Sequence, residues 1–323
     1  MTPAMKNEVA LLHAYRKKPQ TILYKQIEHL LYTHTHKMVK PLLKWVGGKT
    51  QIIDAVIDHF PDTIHGDYYE PFVGGGSVLL AALSSGRIHG KVYANDLNRH
   101  LIDFYKCVQS DPDELITDLR RLVNEFAEIA SEGGTVNRKP QNFDEAITSK
   151  ESYYYWVRAL FNARPSPAMF LFLNKTCFRG VYREGPRGFN VPYGHYANPS
   201  VFTDAAITEV SKLIQGVVFT CLPFDRHLED LKPDDFVYMD PPYVPEKLTS
   251  FVGYTGVGFG KEQHELLFAT CTTTLTCKFL LSNSDVQIVR DAFENFTVHA
   301  VSCRRAINSK NPAARANELL ITN

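Results

Sequence analysis

From Lys40 onward the chain alternates short apolar or aromatic runs with longer segments whose apolar residues recur every three to four positions. DYYEPF (67–72) predicts a strand, GGGS (74–77) a turn, VLLAAL (78–83) the start of a helix and KVYAND (91–96) a second strand. In NRHLIDFYKCV (98–108), Leu101, Ile102, Tyr105 and Val108 fall on one side, as expected of a crossover helix lying back on a sheet. Strand patterns return at GVVFTCL (216–222), FVYMD (236–240), KFLLSNSD (278–285), FTVHAVSC (296–303) and ELLITN (318–323), with helical segments between several of them. The pattern predicts an α/β fold: a mostly parallel sheet flanked by helices, without internal repeats.

Between about 110 and 210 the character changes. DELITDLRRLVNEFAEIA is helical, SEGGTVNRKPQNFDE a polar loop and SYYYWVRALFN an aromatic helix, followed by a Gly/Pro/Arg-rich stretch. We read 111–210 as an inserted, mainly helical domain and 38–110 with 211–323 as the core domain. Residues 1–37 mix basic and apolar segments without a period; they are an N-terminal extension of unknown role, or a misassigned start ahead of Met38. The run Tyr153, Tyr154, Tyr155, Trp156 and Phe161 has helical spacing and is expected in a core rather than against a ligand.

Composition narrows the class. The chain has 323 residues, 44% apolar and 22% charged, with no run long enough to span a bilayer, so no membrane partner is expected. Its first residues, MTPAMKNEVALLHAYRKK, lack the arrangement of a secretory signal, which points to an intracellular protein. Six cysteines (Cys107, Cys177, Cys221, Cys271, Cys277, Cys303) without a C-x-x-C pair read as reduced thiols, mostly buried. His34 and His36 have no third ligand nearby, and no metal is assigned. Formal net charge is zero, so any nucleic-acid surface must come from local clustering of cations.

Two motifs carry candidate chemistry. In Phe72-Val73-Gly74-Gly75-Gly76, glycines directly after a strand allow a sharp turn and close approach to a ligand. Asp96 ends the next strand, where a carboxylate can accept both hydroxyl hydrogens of a ribose. Ser77 and Leu79 break the pyrophosphate-binding G-x-G-x-x-G pattern, so a ribose-bearing ligand without phosphate, such as S-adenosylmethionine, fits better. The plainer alternative is a tight turn, with Asp96 capping the next helix through the amides of Asn98 or Arg99.

The second motif, Asp240-Pro241-Pro242-Tyr243, follows FVYMD at the sheet edge where open α/β folds place ligands. An exocyclic base amine is a poor nucleophile and needs acceptors for its hydrogens as the nitrogen becomes tetrahedral. The Asp240 carboxylate and the Pro241 carbonyl are suited to this, the prolines holding that carbonyl in one direction. Tyr243 can stack on a base rotated out of its duplex. The plainer alternative here is an ordinary strand-ending turn.

Leu43-Lys44-Trp45-Val46-Gly47-Gly48-Lys49, EPFVGGGSV, the AND at 94–96 and DPPY occur in an order that resembles the Dam-like (D12 class, alpha group) family of DNA adenine-N6 methyltransferases. The resemblance runs from Pro41 to Asn323 and includes the aromatic-spaced loop Phe251, Tyr254, Phe259 and ELLITN as the closing strand. It implies a Rossmann-like S-adenosylmethionine-dependent methyltransferase sheet, with 111–210 as target-recognition domain. It also implies methyl transfer to N6 of a flipped adenine in duplex DNA. Cofactor-binding residues would be Trp45, Lys49, Phe72, Gly74, Gly76, Asp96 and Asp240; catalytic residues would be Asp240, Pro241 and Tyr243.

The segments 172–183 and 185–194 interleave basic and aromatic residues with glycine, the second resembling the family's FNVPxG hairpin. Lys44, Lys175, Arg179, Arg183, Arg187, Asn190 and Tyr193 are the expected DNA-binding residues. The alternative, a solvated loop with paired arginines, has Glu184 as the only acid between Lys175 and Tyr193. Arg304, Arg305, Lys310 and Arg315 form a second basic segment, either a backbone grip or a solvated loop. A cognate restriction endonuclease is a candidate functional partner. Rival readings are methylation of cytosine N4 or RNA adenine, and a catalytically silent DNA-binding regulator.

Overall fold

The computed structural model describes residues 38–130, 134–245, 259–304 and 315–323. Its strands are β1 (Tyr68–Glu70), β2 (Val92–Asn95), the short pair β3 (Glu184–Gly185) and β4 (Gly188–Phe189), β5 (Val218–Thr220), β6 (Phe236–Met239), β7 (Lys278–Ser284), β8 (Thr297–Arg304) and β9 (Arg315–Thr322). Seven of them form one sheet in the order β5-β2-β1-β6-β7-β9-β8. From β5 to β7 all neighbours are parallel, while β9 is antiparallel to both β7 and β8. β1 is shorter than the apolar pattern suggested because Pro71, lacking an N–H, follows Glu70. β9 begins at Arg315, ahead of the expected 318.

The helices are α1 (Ile53–Asp58), α2 (Ser77–Ser84), α3 (Arg99–Ser110), α4 (Pro112–Glu128), α5 (Phe143–Ala146), α6 (Lys150–Ala163), α7 (Pro167–Thr176), α8 (Asp204–Leu213), α9 (Phe224–His227), α10 (Lys261–Ala269) and α11 (Gln287–Ala292). Their starts follow side-chain chemistry. Asn98, Ser149, Ser166 and Thr203 accept hydrogen bonds from the amides of Leu101, Ser152, Met169 and Ala206, and Pro167 occupies the first turn of α7. Among the described residues no helix is long and apolar enough to cross a membrane.

All four residues of β6 are buried, as a central parallel strand covered on both faces requires. Phe236 and Tyr238 join Leu280 and Leu320 on one face; Val237 and Met239 join Phe279, Leu281 and Ile321 on the other. The first face packs on α3, whose buried Leu101, Ile102, Tyr105 and Val108 are the predicted side, and Phe104 adds to it. That core continues without a break into 111–210: Phe126, Tyr153, Tyr154, Phe161 and Phe172 are all buried in the same cluster. The aromatic run is therefore core, as its spacing indicates, except that Trp156 is only partly buried against it. Residues Val39–Asn323 form one compact unit in which the inserted helices share the core of the sheet.

None of the six cysteines, all among the described residues, forms a disulfide; Cys177, Cys271 and Cys277 are buried, whereas Cys107, Cys221 and Cys303 are only half-buried. Residues 1–37 with His34 and His36, and also Phe251, Tyr254, Arg305, Lys310 and the side chains of Arg304 and Arg315, lie outside the described residues.

Candidate active site

Every motif converges on the carboxyl edge of the parallel strands. After β1, Gly74 and Gly76 take left-handed backbone angles, with φ of 48° and 71°. A Cβ on Gly74 would lie 2.9 Å from the Trp45 indole, and one on Gly76 would lie 2.5 Å from the Tyr105 hydroxyl oxygen. The space freed by these glycines is thus filled by two side chains of the protein, where the sequence suggested approach of a ligand. Trp45 in turn stacks on Tyr182 (6.0 Å between centroids) and meets Phe170 at 6.5 Å, so it joins the glycine turn to the inserted helices.

Asp96 accepts hydrogen bonds from Gly74 N at 3.0 Å and from Asn98 N at 2.9 Å. It does bond an amide ahead of α3, but Asn98 is the residue that caps that helix. Burial pushes the Asp96 carboxyl up, and the amides of Asn98 and Gly74 oppose the shift. Asn95, which sequence reasoning passed over, ties the strand ends together. Its Nδ2 donates to the carbonyls of Pro71 and Leu222, and its Oδ1 accepts from Thr220 Oγ1 and Leu222 N. Beside Asp96, Leu97 and Leu222 stay 64% and 41% exposed, an apolar pair open to a ligand. Phe72 packs with Phe224 and Phe259 at the same edge.

Asp240 leaves the sheet just after β6, so the Pro241 carbonyl lies beyond the β6–β7 ladder. The loop is clamped to β7, with Val244 N donating to Asn283 Oδ1 (3.1 Å) and Ser284 Oγ donating to the Val244 carbonyl (2.6 Å). Lys49, only 2% exposed, donates to Asp240 Oδ2 at 2.7 Å and to the Gly47 carbonyl at 2.6 Å. Burial pushes the Asp240 carboxyl up, while the Lys49 ammonium draws it down. Lys49 also sits 3.8 Å from Glu318 Oε2 and 5.0 Å from the centroid of the Tyr243 ring, and the Tyr243 hydroxyl donates to Glu318 Oε2 at 2.8 Å. Beneath them, buried Glu70 accepts from the Tyr68 hydroxyl at 2.7 Å; burial pushes its carboxyl up to about 8. Glu70 and Glu318 were missed because each was read as part of a strand. A lone acid inside an apolar strand was the available signal.

The expected DNA-binding residues are divided by the fold. Lys44 is fixed through its backbone, its N–H donating to Asn174 Oδ1 and its carbonyl accepting from Asn174 Nδ2, and its ammonium lies 4.2 Å over the Tyr196 ring. Lys175 is half-buried beside it; burial, then repulsion from Lys44, lowers its pKa to about 8. Arg179 has φ 57°, uncommon for a residue with a Cβ, and its N–H donates to the Tyr196 hydroxyl. Arg183 reaches across β3–β4 to Asn190, bonding its Oδ1 at 2.6 Å, and Arg187 is exposed at the turn. Among the described residues neither Arg183 nor Arg187 pairs with an acid; Glu184 instead accepts from Tyr182 and lies near His100. Tyr193 is a correction. At 7% exposure its ring is buried against Tyr154 and Phe126, because the chain turns inward where Cys177 and Tyr193 bridge.

A sheet of this order, with a glycine turn after β1 and an acid after β2, has the architecture of S-adenosylmethionine-dependent methyltransferases. A family model for D12 class N6 adenine-specific DNA methyltransferase matches residues 45–307, and the chain belongs to that family. It is 37% identical over 303 residues to a type II methyltransferase, M.MjaIII, of Methanocaldococcus jannaschii, covering 88% of this chain and 99% of that one. To a DNA adenine methylase of Haemophilus influenzae it is 31% identical over 285 residues, covering 85% and 90%. To the retron Ec67 DNA adenine methylase of Escherichia coli it is 29% identical over 289 residues, covering 86% and 90%. The protein is a DNA adenine methyltransferase, and its family implies S-adenosylmethionine as methyl donor.

Proposed function

We propose that this enzyme methylates adenine at a defined sequence in duplex DNA, with Asp240, Pro241 and Tyr243 acting on the base and the Asp96 crevice holding the methyl donor. The observation that carries the reading is the 2.7 Å pair between Lys49 and Asp240, which unites the amino-terminal motif with DPPY across the sheet. The crevice suits the donor: Asp96 keeps lone pairs for ribose hydroxyls beyond its bonds to backbone amides, and exposed Leu97 and Leu222 offer apolar surface for an adenine ring. Bound S-adenosylmethionine supplies a methyl group activated on a sulfonium.

Lys49 holds the Asp240 carboxylate through Oδ2, and that carboxylate accepts one hydrogen of the target amine. The Pro241 carbonyl accepts the other, and Tyr243 walls the flipped base. Residues 111–210 act as the target-recognition part, with Lys44, Lys175, Arg179, Arg183, Arg187 and Asn190 toward DNA. Similarity to a type II methyltransferase over most of the chain supports a role beside a restriction endonuclease that reads the same sequence, without a stable complex. An intracellular location follows from a DNA substrate.

The test is incubation with duplex DNA and methyl-labelled S-adenosylmethionine, then digestion and mass spectrometry. N6-methyldeoxyadenosine at one sequence is expected, and N4-methyldeoxycytidine would move the target. Asp240→Ala should lower kcat by roughly 10²-fold or more with donor affinity mostly kept, whereas Asp96→Ala should act chiefly on the donor and weaken it about tenfold. Equal loss of donor affinity in both variants would overturn the division of roles.

A further inference from the structure

Glu318 belongs to none of the motifs that carry the reaction, yet its carboxylate lies where they meet. β9 pairs Glu318 with Ser284 on β7 and with Val301 on β8, and the next three residues, Leu319, Leu320 and Ile321, are fully buried. The carboxylate is therefore mounted on a fixed strand rather than on the loop it touches. Its Oε2 accepts the Tyr243 hydroxyl at 2.8 Å and lies 3.8 Å from Lys49 Nζ, and its Oε1 accepts from the Cys303 thiol at 3.2 Å. With its side chain 18% exposed, the protein rather than water supplies most of its partners.

Phenylalanine would stack on a base about as well as tyrosine, so the Tyr243 hydroxyl contributes only if something holds it. We propose that Glu318 is a positioning residue that fixes Tyr243 through its hydroxyl, so that the ring presents a set face to the flipped adenine, while Lys49 is held between Glu318 and Asp240. This rests on the assignment of Asp240 and Tyr243 to the target base. A ring held at both ends has lost its torsional freedom before the base arrives, which lowers the barrier to the reactive geometry.

The test compares the purified full chain with Glu318→Ala, Glu318→Gln, Tyr243→Phe, the double variant Glu318→Ala/Tyr243→Phe, and Asp240→Ala. Glu318→Ala and Tyr243→Phe should each lower kcat about tenfold, the loss expected for a hydrogen bond to a charged group, with donor affinity within about twofold of wild type. The double variant should lose clearly less than the two single losses combined, because both remove the same bond. Glu318→Gln keeps an acceptor for the hydroxyl and should recover the greater part of the loss, a rescue that lost strand packing would not give. A 2-aminopurine at the target position should report the same altered stacking in Glu318→Ala and Tyr243→Phe. Additive losses in the double variant, or unchanged kcat in Glu318→Ala while Asp240→Ala is inactive, would overturn the proposal. An active Asp240→Ala would instead overturn the assignment beneath it. If Glu318→Ala fails to fold, Tyr243→Phe decides: 2-aminopurine stacking and kcat both equal to wild type in that variant would overturn the proposal.

Discussion

Gly76 meets two demands at once: a left-handed backbone at φ 71° and a Tyr105 hydroxyl that would stand 2.5 Å from any Cβ. Gly76→Ala should therefore destabilise the protein by about 2–4 kcal/mol, part backbone strain and part overpacking. Adding Tyr105→Phe removes the clashing oxygen and should return the steric part, so urea titration of both variants separates the two contributions. A Gly76→Ala protein within about 0.5 kcal/mol of wild type would show that the turn is not held as described. The glycine run was legible in the sequence as a turn after a strand. That Trp45 and Tyr105 fill the space was not, because Trp45 lies 29 residues before Gly74 and Tyr105 29 residues after Gly76.

At the scale of elements, the β3–β4 hairpin sorts its cations. Arg183 is spent on Asn190 across the hairpin, whereas Arg187 stands exposed at the turn without an acidic partner among the described residues. Arg187→Ala should weaken DNA binding several-fold at all sequences and reduce the slope of log affinity against log salt by about 1, as for one lost phosphate contact. Fluorescence anisotropy at several salt concentrations would measure both, and an unchanged slope with altered sequence preference would make Arg187 a base reader instead. Alternation of basic and aromatic residues marks this region as unusual, but it cannot separate Arg187 from Tyr193. Which side chains point inward depends on how the hairpin docks on α6, where Asn162 takes the amide and the carbonyl of Phe189.

For the whole molecule, the buried Glu70 links stability to pH. Burial pushes its carboxyl from 4.5 up to about 8, so the folded state holds that proton more tightly than the unfolded chain. The stabilisation is complete below pH 4.5 and is lost as pH rises toward about 8. Glu70→Gln, neutral throughout, should become steadily more stable relative to wild type across that window, by up to about 1.4 kcal/mol per pH unit. Denaturation curves that stay parallel from pH 5 to 8 would refute it.

Periodicity determined the class of fold, the central strands and the aromatic core of α6, because alternation and helical spacing are local properties of the chain. Motif spacing likewise marked Asp96, Asp240 and the glycine turn, since each lies within a few residues of a strand end. Only the tertiary structure decided that Lys49 pairs with Asp240, 191 residues away, and that Glu318 meets Tyr243 from 75 residues on. It also decided that the inserted helices share one core with the sheet. Such contacts follow from the order of strands in the sheet, and β9 lying antiparallel between β7 and β8 brings an acid from the last strand to the site.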